Sequence, residues 1–251
     1  MQSKYSDLIH QTFDFPQEPF KVVDDELYFN DIPLMEIIKK YGTPLKISYL
    51  PKISSQIQKA KRLFNVAIAK ADYKGTYSYC YCTKSSHFSF VLDEALKNNV
   101  HLETSSAFDI PIIKNLYQNQ KINKDTFIIC NGYKRPTYTQ YIAELINDGF
   151  KNVIPVLDNK NEILAYEKSV KGKCKLGIRI AAEEEPNYEF YTSRLGIRYK
   201  DILDFYIQKI KPNAKFELKM LHFFVNKGIR DTSYYWTELT KCINVYSELK
   251  K

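Results

Sequence analysis

Residues 76–96 read TYSYCYCTKSSHFSFVLDEAL, and this stretch changes its periodicity half-way. In its first half the strand period of two puts one set of side chains on one face, namely Tyr77, Tyr79, Tyr81 and Thr83. The opposite face then carries the smaller Ser78, Cys80 and Cys82, with Lys84 at the end. The second half has apolar residues at helical spacing. We predict a β-strand, a short turn that holds Lys84, and a helix that the two serines begin.

The same strand-helix unit recurs along the chain. The predicted strands are TYSYCYCTK, VHLETS, TFIICNG, NVIPVLD, CKLGIRIA and FELKMLHFFVN, each followed by a helical pattern. Six such units predict an α/β fold with a parallel sheet, because a parallel crossover needs a helix-length connection. No G-x-G-x-x-G follows the first strand, which disfavours a dinucleotide-binding open sheet.

A (β/α)8 TIM barrel needs eight units, so about six of eight are present and we expect an N-terminal part of a longer protein. We assign residues 1–41 to a leader and residues 42–251 to an incomplete barrel. The leader contains a hairpin that turns at Asp24 and Asp25, and a helix capped by Asp31 and closed by Gly42. PLKISYL, residues 44–50, reads as a further short strand.

Composition narrows the classes of function. The chain of 251 residues is 44% hydrophobic and has no stretch that could span a membrane. The net charge of +8 comes from dispersed lysines, which disfavours a nucleic-acid partner. Its five cysteines form no C-x-x-C pair, so we expect reduced thiols, no metal site and a cytosolic (cytoplasmic) location.

Lys84 has two interpretations that the pattern alone leaves open. It is either a solvated lysine at a strand end or a reactive amine at the mouth of a barrel, where the catalytic residues of such barrels lie. The face that it shares with small side chains permits either role.

Several segments resemble one family. YGTPLKISYLPKI, YCTKSSHFSFVLDEAL and HLETSSAFDI resemble, in order and spacing, the alanine-racemase-like barrel decarboxylases that use pyridoxal phosphate. Within that group, TFIICNGYKRPTYTQYIAELINDGF is most similar to the biosynthetic arginine decarboxylases. The likeness covers about residues 20–251.

The resemblance implies that Lys84 binds pyridoxal 5'-phosphate as a Schiff base and is the catalytic lysine. It further implies that Glu103 and Arg179 lie near the cofactor. Each has a structural alternative: Arg179 could pair with the acidic run Glu183–Glu185, and Glu103 could be an ordinary strand residue.

The sixth strand departs from the family pattern. His222 is kept, and Phe224 stands where the family has a His that stacks on the cofactor. Asn226 and Lys227 stand in place of a Gly-Ser pair whose Ser contacts the phosphate. An aromatic ring at position 224 can still stack. Ser193 and Arg194 match a segment at the barrel mouth, and His87 is a weaker candidate beside Lys84.

The resemblance implies decarboxylation of L-arginine to agmatine and carbon dioxide, a reaction of polyamine biosynthesis. It also implies an assembly of two or more copies and a C-terminal β-domain, which is absent from this chain. Ornithine, lysine or diaminopimelate as substrate, and a non-catalytic barrel that binds pyridoxal phosphate, remain alternatives.

Overall fold

The computed structural model describes residues 19–181, 195–224 and 232–251, and the chain divides into two units at residues 49 and 50. The described part of the first unit contains an antiparallel sheet and a helix, which are β1 (Phe20–Val23), β2 (Glu26–Phe29), β3 (Ile32–Pro33) and α1 (Leu34–Tyr41). Asp24 and Asp25 connect β1 to β2 with φ values of 49° and 61°. Both lie in the left-handed region that a type I′ turn requires, so the predicted hairpin is confirmed.

The predicted cap of α1 is wrong at one end and right at the other. Asp31 lies in the turn before β3, where its carboxylate pairs with Lys21, and α1 begins only after Pro33, without a side-chain cap. The short strand β3 intervenes, so Asp31 is too far from the helix start. Gly42 closes α1 as expected, with φ of 80° and its N–H bonded to the Ile38 carbonyl.

The described part of the second unit contains six parallel strands that lie in the sheet in sequence order. They are β4 (Cys80–Cys82), β5 (His101–Thr104), β6 (Ile128–Cys130), β7 (Val153–Leu157), β8 (Cys174–Arg179) and β9 (Phe216–His222). This order confirms the parallel α/β arrangement that was expected from the repeated units.

Helices connect these strands and cover the sheet. They are α2 (Leu50–Lys70), α3 (Ser89–Leu96), α4 (Asp109–Gln118), α5 (Pro136–Asn147), α6 (Glu162–Ser169), α7 (Ile202–Phe205) and α8 (Thr232–Lys250). A 3₁₀ turn (Tyr199–Asp201) precedes α7, and a π-helical turn (Tyr206–Ile210) follows it. None of the helices in the described ranges is long and apolar enough to cross a membrane.

The two faces of the sheet differ in character. The face toward the helices carries the main core, for example Leu102, Ile128 and Ile178. The opposite, inner face carries a smaller cluster in which Cys80 packs with neighbours contributed by later strands, namely Ile129, Ile154, Val156 and Met220. Tyr79 and Tyr81 pack on the helix side instead. The predicted alternation of β4 is therefore confirmed.

Two local predictions are wrong. PLKISYL forms no strand, and α2 begins at Leu50, because a short apolar run becomes a strand only when a neighbouring strand completes its hydrogen-bond ladder. Ser85 and Ser86 do not begin α3, which starts at Ser89. The Ser85 hydroxyl donates instead to the Cys82 carbonyl, 2.7 Å away, and so completes the strand end.

The sheet is curved but open in the part of the chain that the structure describes. Its edge strands β4 and β9 each pair on one side only. Curvature is nevertheless evident, because a side chain that follows β6 reaches across the inner face to one at the end of β9.

Candidate active site

Polar side chains gather at the carboxyl edge of the parallel sheet, the edge where such folds place their ligands. They are Lys84 after β4, Glu103 in β5, Asn131 after β6, Asp158 after β7, Arg179 at the end of β8 and His222 at the end of β9. Asn131, Asp158 and His222 each lie two positions beyond a residue of the inner cluster, and Arg179 lies two beyond Gly177, a strand partner of Val156. Glu103 pairs with Ile129 of that cluster, and Lys84 lies two positions beyond Cys82, the strand partner of Glu103. The period of two therefore puts all six on the inner face.

Lys84 lies in the turn that follows β4 and is exposed. The preceding residue, Thr83, is buried and donates from both its backbone N–H and its hydroxyl to the Glu103 carbonyl, at 2.9 and 3.1 Å. Thr83 thereby extends the pairing of β4 by one residue. Lys84 is thus held at the mouth of the inner face, and its ammonium has no ion pair with a described residue.

Asn131 connects two of the residues proposed from the sequence. Its amide nitrogen donates to Glu103 Oε1 at 3.0 Å and lies 3.3 Å from His222 Nε2. The buried Asn131 Oδ1 and His222 Nδ1 have no hydrogen-bond partner among the described residues. Glu103, Asn131 and His222 form what we call the cross-barrel bridge.

Lys134 lies in the turn after β6, three residues beyond Asn131, and its side chain is completely shielded from solvent. Its ammonium donates to the carbonyls of Gly132, at 2.8 Å, and Val156, and it pairs with the Glu162 carboxylate at 3.4 Å. The lysine therefore ties the turn after β6 to β7 and to the first turn of α6. Burial of an ammonium requires such compensation.

Arg179 and Asp158 form the adjacent charge pair. Arg179 Nη1 lies 3.7 Å from Asp158 Oδ1, which is an ion pair but too long for a hydrogen bond. Both Asp158 oxygens are buried without a hydrogen-bond partner in the described residues. The Arg179 guanidinium also lies 5.4 Å from the centre of the Phe224 ring, within cation–π range.

Burial shifts the pKa values of the titratable groups here. The pKa of His222 is lowered to about 4, first by desolvation and then by the charges of Arg179 and Lys134. Desolvation raises the pKa of Asp158 and of Glu162, and the nearby cations oppose the rise. At neutral pH the His222 ring is therefore uncharged.

Comparison with known proteins agrees with this architecture. No family model matches the sequence. The biosynthetic arginine decarboxylase of Prochlorococcus marinus (strain CCMP1986 / NIES-2087 / MED4) is 26% identical over 237 residues, which is 88% of this chain and 36% of that protein. The chain thus spans about a third of the length of the curated relative that it matches.

Two solved structures are similar over 93% of this chain. One is the biosynthetic arginine decarboxylase SpeA of Campylobacter jejuni, with a TM-score of 0.69, 20% identity and 40% of its chain covered. The other is the diaminopimelate decarboxylase of M. jannaschii in complex with L-lysine, with a TM-score of 0.75, 14% identity and 54% of its chain covered. The fold is that of an alanine-racemase-like decarboxylase barrel. The described ranges of this chain contain six of its strands with their helices.

The remaining predicted residues of this barrel fall outside the polar cluster or outside the described ranges. His87 lines a cleft between α3 and α4, with Pro111, Asn115 and Lys121 on its far side. The structure does not bring it to the cross-barrel bridge. Ser193 and Arg194 lie outside the described residues, as do the acidic run after β8 and Lys227.

Sequence reasoning missed two members of the cluster, Asn131 and Asp158, and the adjacent buried pair of Lys134 and Glu162. In the sequence, Asn131 and Gly132 indicate only the turn that leaves a strand end. One signal was available for Asp158, because it directly follows the buried run Val153–Leu157, the same strand-end position that drew attention to Lys84. The contacts of Lys134 and Asn131 join residues far apart in the chain, so no local pattern indicated them.

Proposed function

We propose that this chain is the cofactor-binding barrel of a pyridoxal-phosphate-dependent decarboxylase that acts on a basic amino acid, foremost L-arginine, and yields agmatine and carbon dioxide. The polar cluster at the carboxyl edge, with Lys84 at its mouth, carries the proposal. The sequence likeness to arginine decarboxylases over 88% of the chain supports it. The known fold neighbours include enzymes named for other basic amino acids, so the choice of arginine rests on the sequence relatives.

The cluster fits pyridoxal phosphate by its chemistry. Lys84 offers an exposed primary amine for the aldehyde, and Phe224, about half exposed, offers an aromatic face for the pyridine ring. Arg179 supplies a cation that is already oriented by Asp158. The buried unpaired atoms of Asn131, Asp158 and His222 are the kind of groups that a bound ligand satisfies.

When bound, pyridoxal phosphate serves as the electron sink that makes loss of a carboxylate possible. The chain's own residues would bind the cofactor and orient it. Lys84 would hold the cofactor, and Arg179 would provide a fixed positive charge beside the pyridine ring. Glu103 and His222, joined by Asn131, would line the inner wall. His222, neutral at physiological pH, would not supply a proton as an imidazolium there.

Cofactor uptake tests the central claim. The folded 251-residue chain is mixed with pyridoxal phosphate, its visible absorbance is recorded, and the adduct is reduced with borohydride and mapped by peptide mass spectrometry. We expect a visible band and a modified Lys84 peptide. Lys84→Ala should abolish both.

Lys171→Ala is the matched control, because Lys171 is also exposed but lies before β8, at the opposite edge of the sheet. It should keep the band and the Lys84 label. A folded wild-type chain that shows no visible band with excess cofactor would refute the proposal.

Substrate choice is tested on the full-length gene product, by carbon dioxide release from labelled arginine, lysine, ornithine and diaminopimelate. The full-length product is needed because the family resemblance implies that segments outside this chain complete the active site. We expect arginine to react fastest. Faster release from another of these would reassign the substrate, and a cofactor-loaded protein without any release would be the non-catalytic barrel.

We further propose a cytoplasmic homodimer or larger homo-oligomer, which analytical ultracentrifugation tests.

A further inference from the structure

The orientation of the Asn131 amide follows from the chemistry of Glu103. An ionised carboxylate only accepts hydrogen bonds, so the amide group 3.0 Å from Glu103 Oε1 must be the NH₂ end of Asn131. The opposite orientation would put two acceptor oxygens in contact. It would also leave the NH₂ group where Oδ1 now lies buried without a partner.

The same NH₂ group decides the tautomer of His222. Its second proton is available to His222 Nε2 at 3.3 Å, and an amide nitrogen has no acceptor capacity. His222 Nε2 must therefore accept, which means that it carries no proton. A neutral imidazole then has its proton on Nδ1.

Desolvation and two nearby cations favour the neutral state of the ring. Arg179 is the register partner of His222 on β8, and its charge opposes protonation of the ring, as does that of Lys134 from the turn after β6. Glu103 contributes a negative charge from β5 through Asn131, and Asp158 lies beside Arg179. Desolvation is the largest influence, and it lowers the pKa of His222 to about 4.

We propose that Asn131 is a positioning residue of this site, one that holds Glu103 and His222 together across the barrel and fixes His222 as the neutral tautomer protonated on Nδ1. Its value for cofactor binding rests on the proposed function. The bridge sets the spacing between β5, β6 and β9 at the edge where the cofactor would lie. It also makes His222 a fixed wall of the site and excludes it as a proton donor at Nε2.

The tautomer is measured directly by two-bond ¹H–¹⁵N correlation spectra of the chain labelled at histidine ring nitrogens, without cofactor. The signals of His222 are assigned by their loss in His222→Gln. We expect protonated Nδ1 and unprotonated Nε2 at neutral pH. A His222 protonated on Nε2 in the wild-type chain would overturn the proposal, whatever the variants show.

Asn131→Asp and Asn131→Ala then test the cause. The carboxylate of Asn131→Asp can only accept, so we expect the proton to move to Nε2 and the pKa of His222 to rise by about 1–3 units. Asn131→Ala should give a mixture of tautomers and a several-fold weaker uptake of pyridoxal phosphate. An unchanged tautomer in both variants would overturn the proposal.

Asn159→Asp is the charge control. Asn159 follows β7 at the same edge, but its amide contacts Glu162 and not His222. This variant should keep the Nδ1-protonated ring. Because the spectra need no cofactor, a wild-type chain that fails to bind pyridoxal phosphate would refute the proposed function, while the spectra would still decide the role of Asn131.

Discussion

At the scale of a residue, Lys134 shows how much one buried charge contributes to the stability of the fold. Its side chain is fully shielded, and its partners are two carbonyls and the Glu162 carboxylate. Lys134→Met keeps the length of the side chain but leaves that buried carboxylate without its cation, although the Asp158 N–H and the Asn159 amide still donate to it. We expect a loss of about 3–5 kcal/mol in the free energy of unfolding, measured by urea denaturation.

Lys151→Met is the comparison for this prediction. Lys151 pairs with Asp125 at 2.9 Å, and both side chains are about two-thirds exposed. Exposed pairs contribute little, so the change should stay within about 1 kcal/mol. Equal losses for Lys134→Met and Lys151→Met would contradict the buried network described here.

His222 predicts a pH dependence with a definite sign. Its pKa is about 4 in the folded chain, against 6.5 for the unperturbed group. Between these values the unfolded chain binds more protons, so the stability should rise as the pH increases from about 4 to about 6.5. The contribution is of the order of 3 kcal/mol.

His222→Gln isolates this contribution, because glutamine can accept the Asn131 hydrogen bond but does not titrate. The raised pKa values of Asp158 and Glu162 act in the opposite direction and are common to both proteins. Urea melts across this pH range should show a steeper rise for the wild type. Parallel curves would contradict a depressed pKa for His222.

At the scale of single residues, the sequence predicted some members of the candidate site and missed others. Lys84 lies at the edge where the strand pattern put it, because the period of two and the carboxyl end of a parallel strand are local properties. Arg179 and His222, which the family resemblance suggested, end their strands at the same edge. Asn131 has no local sign of its role. Its two partners lie 28 and 91 positions away, and only the curvature of the sheet brings them together.

At the scale of elements, the segment around Gly196 braces the carboxyl ends of two strands. Gly196 N–H donates to the Asp158 carbonyl at 2.9 Å, and Ile197 N–H donates to the Arg179 carbonyl at 2.7 Å. The bridge between Ile197 and the residue after Arg179 completes the contact. This short segment therefore fixes the backbone that carries the Asp158–Arg179 pair.

Gly196→Ala should disturb this brace. Gly196 has φ of +103°, and an added Cβ would lie 2.7 Å from the Ala181 nitrogen. We expect a loss of about 2 kcal/mol or more in the free energy of unfolding, together with weaker cofactor uptake. Gly172→Ala meets nothing within 4 Å and should be neutral or stabilise by up to about 1 kcal/mol. Thermal melts of both variants check this, and a neutral Gly196→Ala would contradict the brace.

Element boundaries were predicted less well than element types. The run PLKISYL has the composition of a strand but lacks a paired neighbour. The Ser85 hydroxyl donates to the carbonyl of a strand residue and does not cap a helix. Along α2, Ile57 is buried, whereas Phe64 is 51% exposed and stacks on Tyr77. Each outcome depends on what packs against the segment.

At the scale of the whole molecule, the main core should protect thiols until the unit opens. Cys130 and Cys174 are fully buried on the helix side of the sheet, and burial raises the pKa of Cys130 to about 11 and of Cys174 to about 12. Cys242 on α8 is partly exposed. We expect iodoacetamide to label Cys242 in the native protein and the other two only at the rate of unfolding.

Mass spectrometry of labelled peptides at increasing urea measures this protection. If Cys130 and Cys174 are labelled together, at the midpoint of the optical transition, the sheet unfolds as one cooperative unit. Labelling of Cys130 as fast as Cys242 in native buffer would contradict a continuous core beneath β6 and β8.

The sequence by itself determined the class of fold, the number of strand-helix units and the end of the sheet where chemistry would lie. These follow from local periodicity, because alternation and helical spacing are properties of consecutive residues. Tertiary structure alone decided which polar groups meet: Asn131 with His222 across the sheet, Lys134 with Glu162, and Arg179 with Asp158 and Phe224. The physical reason is that curvature and burial, which set these distances and pKa values, arise only when distant strands pack together.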